Sequence, residues 1–119
     1  MKPDTRDKVL NLIESLKNEE SAIILVEGQN DLAALRKLGI EHTIKKMSGK
    51  RIFDNLSSLK GKNIIILTDF DRAGCNLFKK IRNELEVMGF SPNIHYWQQM
   101  KLLLKGKITE IEELSTFAE

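Results

Sequence analysis

The sequence predicts an α/β fold, an open parallel sheet of about four strands with helices packed on both faces. Three observations carry this expectation. First, Ala22-Ile23-Ile24-Leu25-Val26 and Ile64-Ile65-Ile66-Leu67 are continuous apolar runs, short and rich in β-branched residues. Strands buried on both faces read this way. Second, the segments around them carry apolar residues at helical spacing, so helix and strand alternate along the chain. Third, no Gly-, Ser- or Pro-rich linker and no internal repeat divides the 119 residues, a length that suits one domain.

The elements follow in order. Asp4 to about Lys17 places Val9, Leu12, Ile13 and Leu16 on one helical face. The strand Ala22–Val26 follows, and then a short helix from Asn30 to Leu38 that stops at Gly39. Thr43 to Met47 reads as a strand. Arg51 to Leu59 reads as a helix through Ile52, Phe53, Leu56 and Leu59, ended by Gly61. The strand Ile64–Leu67 leads into the longest helix, Asp71 to Met88, whose apolar side is Leu77, Phe78, Ile81, Leu85 and Met88. Asn93 to Trp97 is expected as a last strand. Thr109-Glu110-Ile111-Glu112 has the form of a capping box opening a terminal helix.

Composition mainly excludes. Hydrophobic residues are 41% and charged residues 30% of the chain, which argues against disorder. Cys75 is the lone cysteine, so there is no internal disulfide framework, and a reducing, cytoplasmic setting is expected. No apolar run approaches the roughly 20 residues of a membrane span, and the polar start Met1-Lys2-Pro3-Asp4 is unlike a signal peptide. A net charge of +2 selects no class of partner.

Ligands of open α/β sheets sit outside the carboxyl ends of strands, near a switch in strand order. Those positions here are Glu27-Gly28-Gln29-Asn30-Asp31 and Thr68-Asp69-Phe70-Asp71-Arg72-Ala73-Gly74. Both strong strands therefore discharge carboxylates at one edge. If the strands are neighbours, Glu27 comes within bridging reach of Asp69, and Asp71 can turn to the same side. Crowded carboxylates repel unless a cation neutralises them, and an all-oxygen set selects Mg²⁺ or Mn²⁺. Gly28 and Gly74 remove side chains where the backbone turns tightly or a phosphate approaches. There is a plainer role for some of these acids. Asp71 is also a good helix N-cap, and Asp31 suits the first turn of a helix.

These two segments resemble the paired signature motifs of the Toprim domain, which is shared by topoisomerases, primases, nucleases, recombination-repair proteins and the ribonuclease that matures 5S rRNA. The resemblance covers about residues 21–114 and is nearest to small stand-alone members and the 5S-maturing ribonuclease. It implies a Rossmann-like, three-layer sheet and a single domain over residues 1–119, with a core at about 21–114 and the helix 4–17 packed on it. It further implies Glu27 as general acid/base and metal ligand, Asp69 and Asp71 as Mg²⁺ ligands, Gly28 and Gly74 as the motif glycines, and Asp31 as a structural motif acid. One departure is Ala73, where several topoisomerases of the family carry a third acid.

A phosphate-binding surface is expected nearby. From Lys45 to Lys62 six basic residues stand against the single acid Asp54; of the six, Lys60 and Lys62 flank a helix exit where cations suit the dipole. Lys50 and Arg51 follow the Ser48-Gly49 turn on the expected carboxyl edge and suit a phosphate clamp. Arg72 could balance the carboxylates or touch a phosphate. His42, His95 and Cys75 show no ligand or nucleophile pattern, and Tyr96, on a predicted strand, does not suit a strand-cleaving role. The function expected from the resemblance is Mg²⁺- or Mn²⁺-dependent phosphodiester chemistry on RNA or DNA. Two alternatives are a non-catalytic Toprim module that binds nucleic acid or protein, and a catalytic subunit that needs a protein partner for substrate binding.

Overall fold

The computed structural model describes residues 2–47 and 56–118. Its centre is a three-stranded parallel sheet, β1 (Ala22–Val26), β2 (Thr43–Lys46) and β3 (Asn63–Ile66), in the order β2-β1-β3. Helices surround it: α1 (Pro3–Lys17), α2 (Gln29–Lys37), α3 (Arg72–Val87) and α4 (His95–Leu103). Two 3-10 segments, Leu56–Leu59 and Ile111–Phe117, complete the described elements.

The strand chemistry explains the order. All five residues of β1 are buried. Successive side chains point to opposite faces, so β1 is covered on both and takes the centre. In β2, Thr43 and Lys46 are exposed and Ile44 and Lys45 are half-buried, a composition that keeps an edge from recruiting another strand. Register pairs Val26 with Lys46 and Leu25 with Ile66. The chain moves from β1 out to β2 and then crosses to β3 on the other side of β1. The switch in strand order therefore falls between the carboxyl ends of β1 and β3.

The helices α1, α2 and α3 match the sequence expectation to within a residue or two, with Pro3 starting α1 and Val9, Ile13 and Leu16 buried along it. The expected fourth strand is a correction. Asn93 makes only an isolated parallel bridge to Ile65, its amide donating to the Ile64 carbonyl at 2.7 Å. Pro92 offers no N–H to extend a ladder, and Asn93 Oδ1 accepts the His95 amide, turning the chain into α4. Tyr96 and Trp97 are consequently helical. Trp97 stacks on Phe78 of α3 with ring centroids 3.8 Å apart, and the Tyr96 hydroxyl bonds Glu19 and Ser15.

The terminal helix is also corrected. Ile111, Leu114 and Phe117 are buried at a spacing of three, the period of a 3-10 helix, in which i and i+3 eclipse. Its N-cap is Glu110, with Glu113 returning to the Glu110 amide at 3.3 Å, one residue later than the predicted box. The expected helix Arg51–Leu59 lies largely outside the described residues; its end is the 3-10 turn Leu56–Leu59. One buried cluster runs from Val9 to Phe117 and ties α1 and the C-terminal segment to the sheet.

Candidate functional site

Glu27 leaves β1 at the switch point, and Asp69 stands three residues beyond β3. The loop between β3 and α3 is pinned at several points. Thr68 is fully buried; its hydroxyl donates to the Gly74 carbonyl at 2.8 Å, and its carbonyl accepts the Trp97 indole N–H at 2.9 Å. Asp71 caps α3, its Oδ1 accepting the Gly74 amide at 2.7 Å. A Cβ on Gly74 would lie 2.1 Å from the Asp69 carbonyl oxygen. Gly74 is required because the first turn of α3 presses on the backbone of Asp69. Gly28 differs: it caps α2 in an extended conformation, with open space where a Cβ would stand.

The C-terminal segment then closes on this loop. The Phe70 amide donates to the Thr109 carbonyl at 2.7 Å, and the Ile111 amide to Asp69 Oδ1 at 2.8 Å. The Asp69 amide faces Glu27 Oε1 at 3.5 Å. Asp31, buried in the first turn of α2, accepts the Gly28 amide at 3.2 Å. The result is an open cleft of about 480 Å³ whose acidic lining is Glu27, Asp31, Asp69, Glu110 and Glu112. Glu110 was missed as a site residue in the sequence, where capping was enough to account for Glu112. Their signal is the 111/114/117 apolar spacing, which turns them outward when Ile111 goes in.

The electrostatics are those of like charges held together. Burial pushes the Asp69 carboxyl above its ordinary range; Asp71, Glu112 and Glu113 push it further, against the Ile111 amide. Glu27 is raised first by burial and then by Asp69. Asp31 is raised by burial, with the Gly28 amide opposing. Groups raised in the folded state bind more protons folded than unfolded, so stability is greatest below their ordinary pKa values and falls as pH rises through the raised ones. In EDTA the melting temperature is expected to fall as pH rises above the ordinary carboxyl range and through the raised values of these groups, with Mn²⁺ restoring part of the loss at the upper end. A flat or rising profile in EDTA would contradict this.

The remaining predicted residues divide. Asp71 and Arg72 are exposed at the start of α3 beside the cleft, and the charge of Asp71 is felt by Glu27 and Asp69. Lys46 reaches Gln29 Oε1 at 3.0 Å at the cleft's margin. Lys50 and Arg51 lie outside the described residues. His42 bonds the Leu16 carbonyl through Nε2 at 2.7 Å, and Cys75 Sγ faces the Phe70 carbonyl. Among the described residues no three His, Cys, Asp or Glu side chains form a ready-made metal cage. The donor chemistry does fit a hard cation held by one or two carboxylates, with water and substrate oxygens completing its shell. Mg²⁺ is commonly bound in that way.

The β2-β1-β3 order with motif acids at its switch point defines a class. A family model described as the Toprim domain matches residues 21–94, and the chain belongs to that family. More particularly, it is similar to UPF0292 proteins. One from Thermococcus kodakarensis is 36% identical over 115 residues, covering 96% of this chain and 86% of the relative. Another, from Methanocaldococcus jannaschii, is 37% identical over 115 residues, covering 93% and 90%. A solved structure of a protein from Aquifex aeolicus matches with a TM-score of 0.74 at 35% identity, covering 87% of this chain and 94% of that one. The segment that supplies the Ile111 amide, Glu110 and Glu112 lies beyond the matched residues 21–94. Among the described residues no helix is long and apolar enough to cross a membrane.

Proposed function

We propose that residues 1–119 act as one Toprim unit that carries out Mg²⁺- or Mn²⁺-dependent phosphodiester chemistry on nucleic acid at the Glu27–Asp69–Asp71 edge. The observation that carries this is the placement of Glu27 and Asp69 in one cleft at the switch point, both with raised carboxyl pKa values. Asp69, oriented by the Ile111 amide, and Asp71, beside it, are the proposed cation ligands, with Glu27 completing the set. When bound, the ion supplies charge stabilisation for a phosphoryl oxygen. Glu27 holds or releases a proton at the attacking or leaving oxygen, a task favoured by a carboxyl pKa shifted toward neutrality. Arg72, Lys50 and Arg51 are the proposed phosphate contacts, with Gly28 leaving the approach to α2 open. Asp31 fixes the turn through Gly28.

The test is cleavage of labelled RNA and DNA with Mn²⁺ or EDTA, for the native protein, Glu27→Gln and Asp69→Ala. Expected is metal-dependent cleavage reduced about 100-fold or more in Glu27→Gln and abolished in Asp69→Ala. Nucleic-acid binding without cleavage, unchanged in Asp69→Ala, would replace catalysis with a binding role. Cleavage that appears only with an added protein would assign the chain to a larger enzyme.

A further inference from the structure

A second concavity includes Phe70 of the Asp69–Asp71 loop in its lining and has a volume of about 710 Å³, within the range of ligand-sized pockets. Phe70, Trp97 and Ile108 form its apolar floor, and Leu102 of α4 stands in its wall with 69% of its surface exposed. Lys101 and Lys105 line it with positive charge, and Gln98 and Gln99 with amides. Among the described residues no carboxylate lines it.

The groove adjoins the acid cleft directly. Phe70 and Thr109 line the groove, while their neighbours Asp69 and Glu110 line the cleft. The hydrogen bond from the Phe70 amide to the Thr109 carbonyl is thus a ridge between the two. Consecutive Cα atoms are only about 3.8 Å apart, so the linings of cleft and groove meet along the Asp69–Phe70 and Thr109–Glu110 backbone.

We propose that this groove holds the nucleotide flanking the phosphate seated at the acid cleft, in a single-stranded nucleic acid. The inference rests on the reading that the cleft acts on nucleic acid, and it adds the path of the strand. A nucleotide presents an apolar base face, a hydrogen-bonding base edge and an anionic backbone. Leu102, the glutamine amides and the two lysines answer these in turn. An acidic peptide would match the lysines and Leu102, but its carboxylates would meet the acids across the ridge. Trp97 is nearly enclosed, with Lys101 Nζ 5.3 Å from the ring centroid. A base therefore covers Leu102 rather than stacking on the indole, and an anion at Lys101 alters the indole's surroundings.

Trp97 is the single tryptophan of the chain, so its fluorescence reports on this groove. The full chain is titrated with oligouridylate and oligothymidylate, with Ca²⁺ to neutralise the cleft and again with EDTA; poly-glutamate is the competing ligand. A saturable change in Trp97 emission is expected with one or both strands. The dissociation constant should rise about tenfold in Lys101→Glu/Lys105→Glu and about threefold in the neutral variant Leu102→Ala. The control pair Lys60→Glu/Lys62→Glu, at the opposite edge of the sheet before β3, should change it far less. No binding in either buffer, binding silent at Trp97, equal losses in both lysine pairs, or a response to poly-glutamate alone would each overturn the proposal. Cleavage is read separately. A chain that gives this titration but never cleaves loses the catalytic reading and keeps the groove; one that cleaves with groove variants unaffected loses the groove alone.

Discussion

Gly74→Ala is expected to destabilise the protein by about 3 kcal/mol or more, the upper range for forcing atoms into a packed site. The reason is local and severe. The new Cβ would sit 2.1 Å from the Asp69 carbonyl oxygen, which belongs to backbone and has no rotamer through which to withdraw. Either α3 shifts outward, breaking the Thr68 hydroxyl bond to Gly74, or the Asp69–Asp71 loop moves and carries its carboxylates away from Glu27. At roughly 4 °C per kcal/mol for a domain of this size, the melting temperature should fall by about 12 °C. Gly28→Ala is the control: the space is open there, and losing glycine at a helix N-cap costs at most about 1 kcal/mol. Equal melting temperatures for Gly74→Ala and the native protein would show that the loop tolerates a side chain and that this packing argument is wrong.

Asp69→Asn is expected to separate function from stability. Asparagine keeps an oxygen that can accept the Ile111 amide, so the clamp between the loop and the C-terminal segment survives. What disappears is a charge raised in pKa by burial and repelled by Asp71, Glu112 and Glu113. In EDTA at neutral pH the variant should melt at the native temperature or above it. Mn²⁺ affinity by calorimetry should nevertheless fall by at least the roughly 10–100-fold that loss of an outer partner of a metal costs. Asp71→Ala should behave oppositely in EDTA. Its Oδ1 caps α3 through the Gly74 amide, and losing such a cap costs about 1 kcal/mol. Undiminished Mn²⁺ binding in Asp69→Asn would remove Asp69 from the cation site.

The two aspartates therefore do different work although they stand two residues apart, and the difference was only half visible beforehand. That Asp71 could cap a helix follows from its position before the α3 periodicity. That Asp69 receives the Ile111 amide does not, because the donor lies 42 positions away. Glu110 escaped, and capping was enough to account for Glu112, for the same reason: a capping box explains such acids locally, and nothing local says which way the segment docks. The fourth strand was misread because Asn93–Trp97 alternates polar Asn93 and His95 with Ile94 and Tyr96, and periodicity over five residues cannot distinguish strand from helix. Over a longer window, Tyr96, Met100 and Leu104 are buried at intervals of four, which is helical.

What the sequence determined by itself is the inside of this protein and the edge at which its acids gather. Ala22–Val26 and Ile64–Leu67 are too uniformly apolar to lie anywhere but in a sheet covered on both faces, and the chain must release Glu27 and Asp69 where those strands end. Such features are local, set by hydrophobicity and side-chain alternation. What only the tertiary structure decided is which strand lies beside which, how the C-terminal segment folds over the β3–α3 loop, and that a lysine-lined groove opens one residue from the acids. Those depend on contacts between residues far apart in the chain, whose energies come from packing and from backbone hydrogen bonds that no stretch of sequence displays alone.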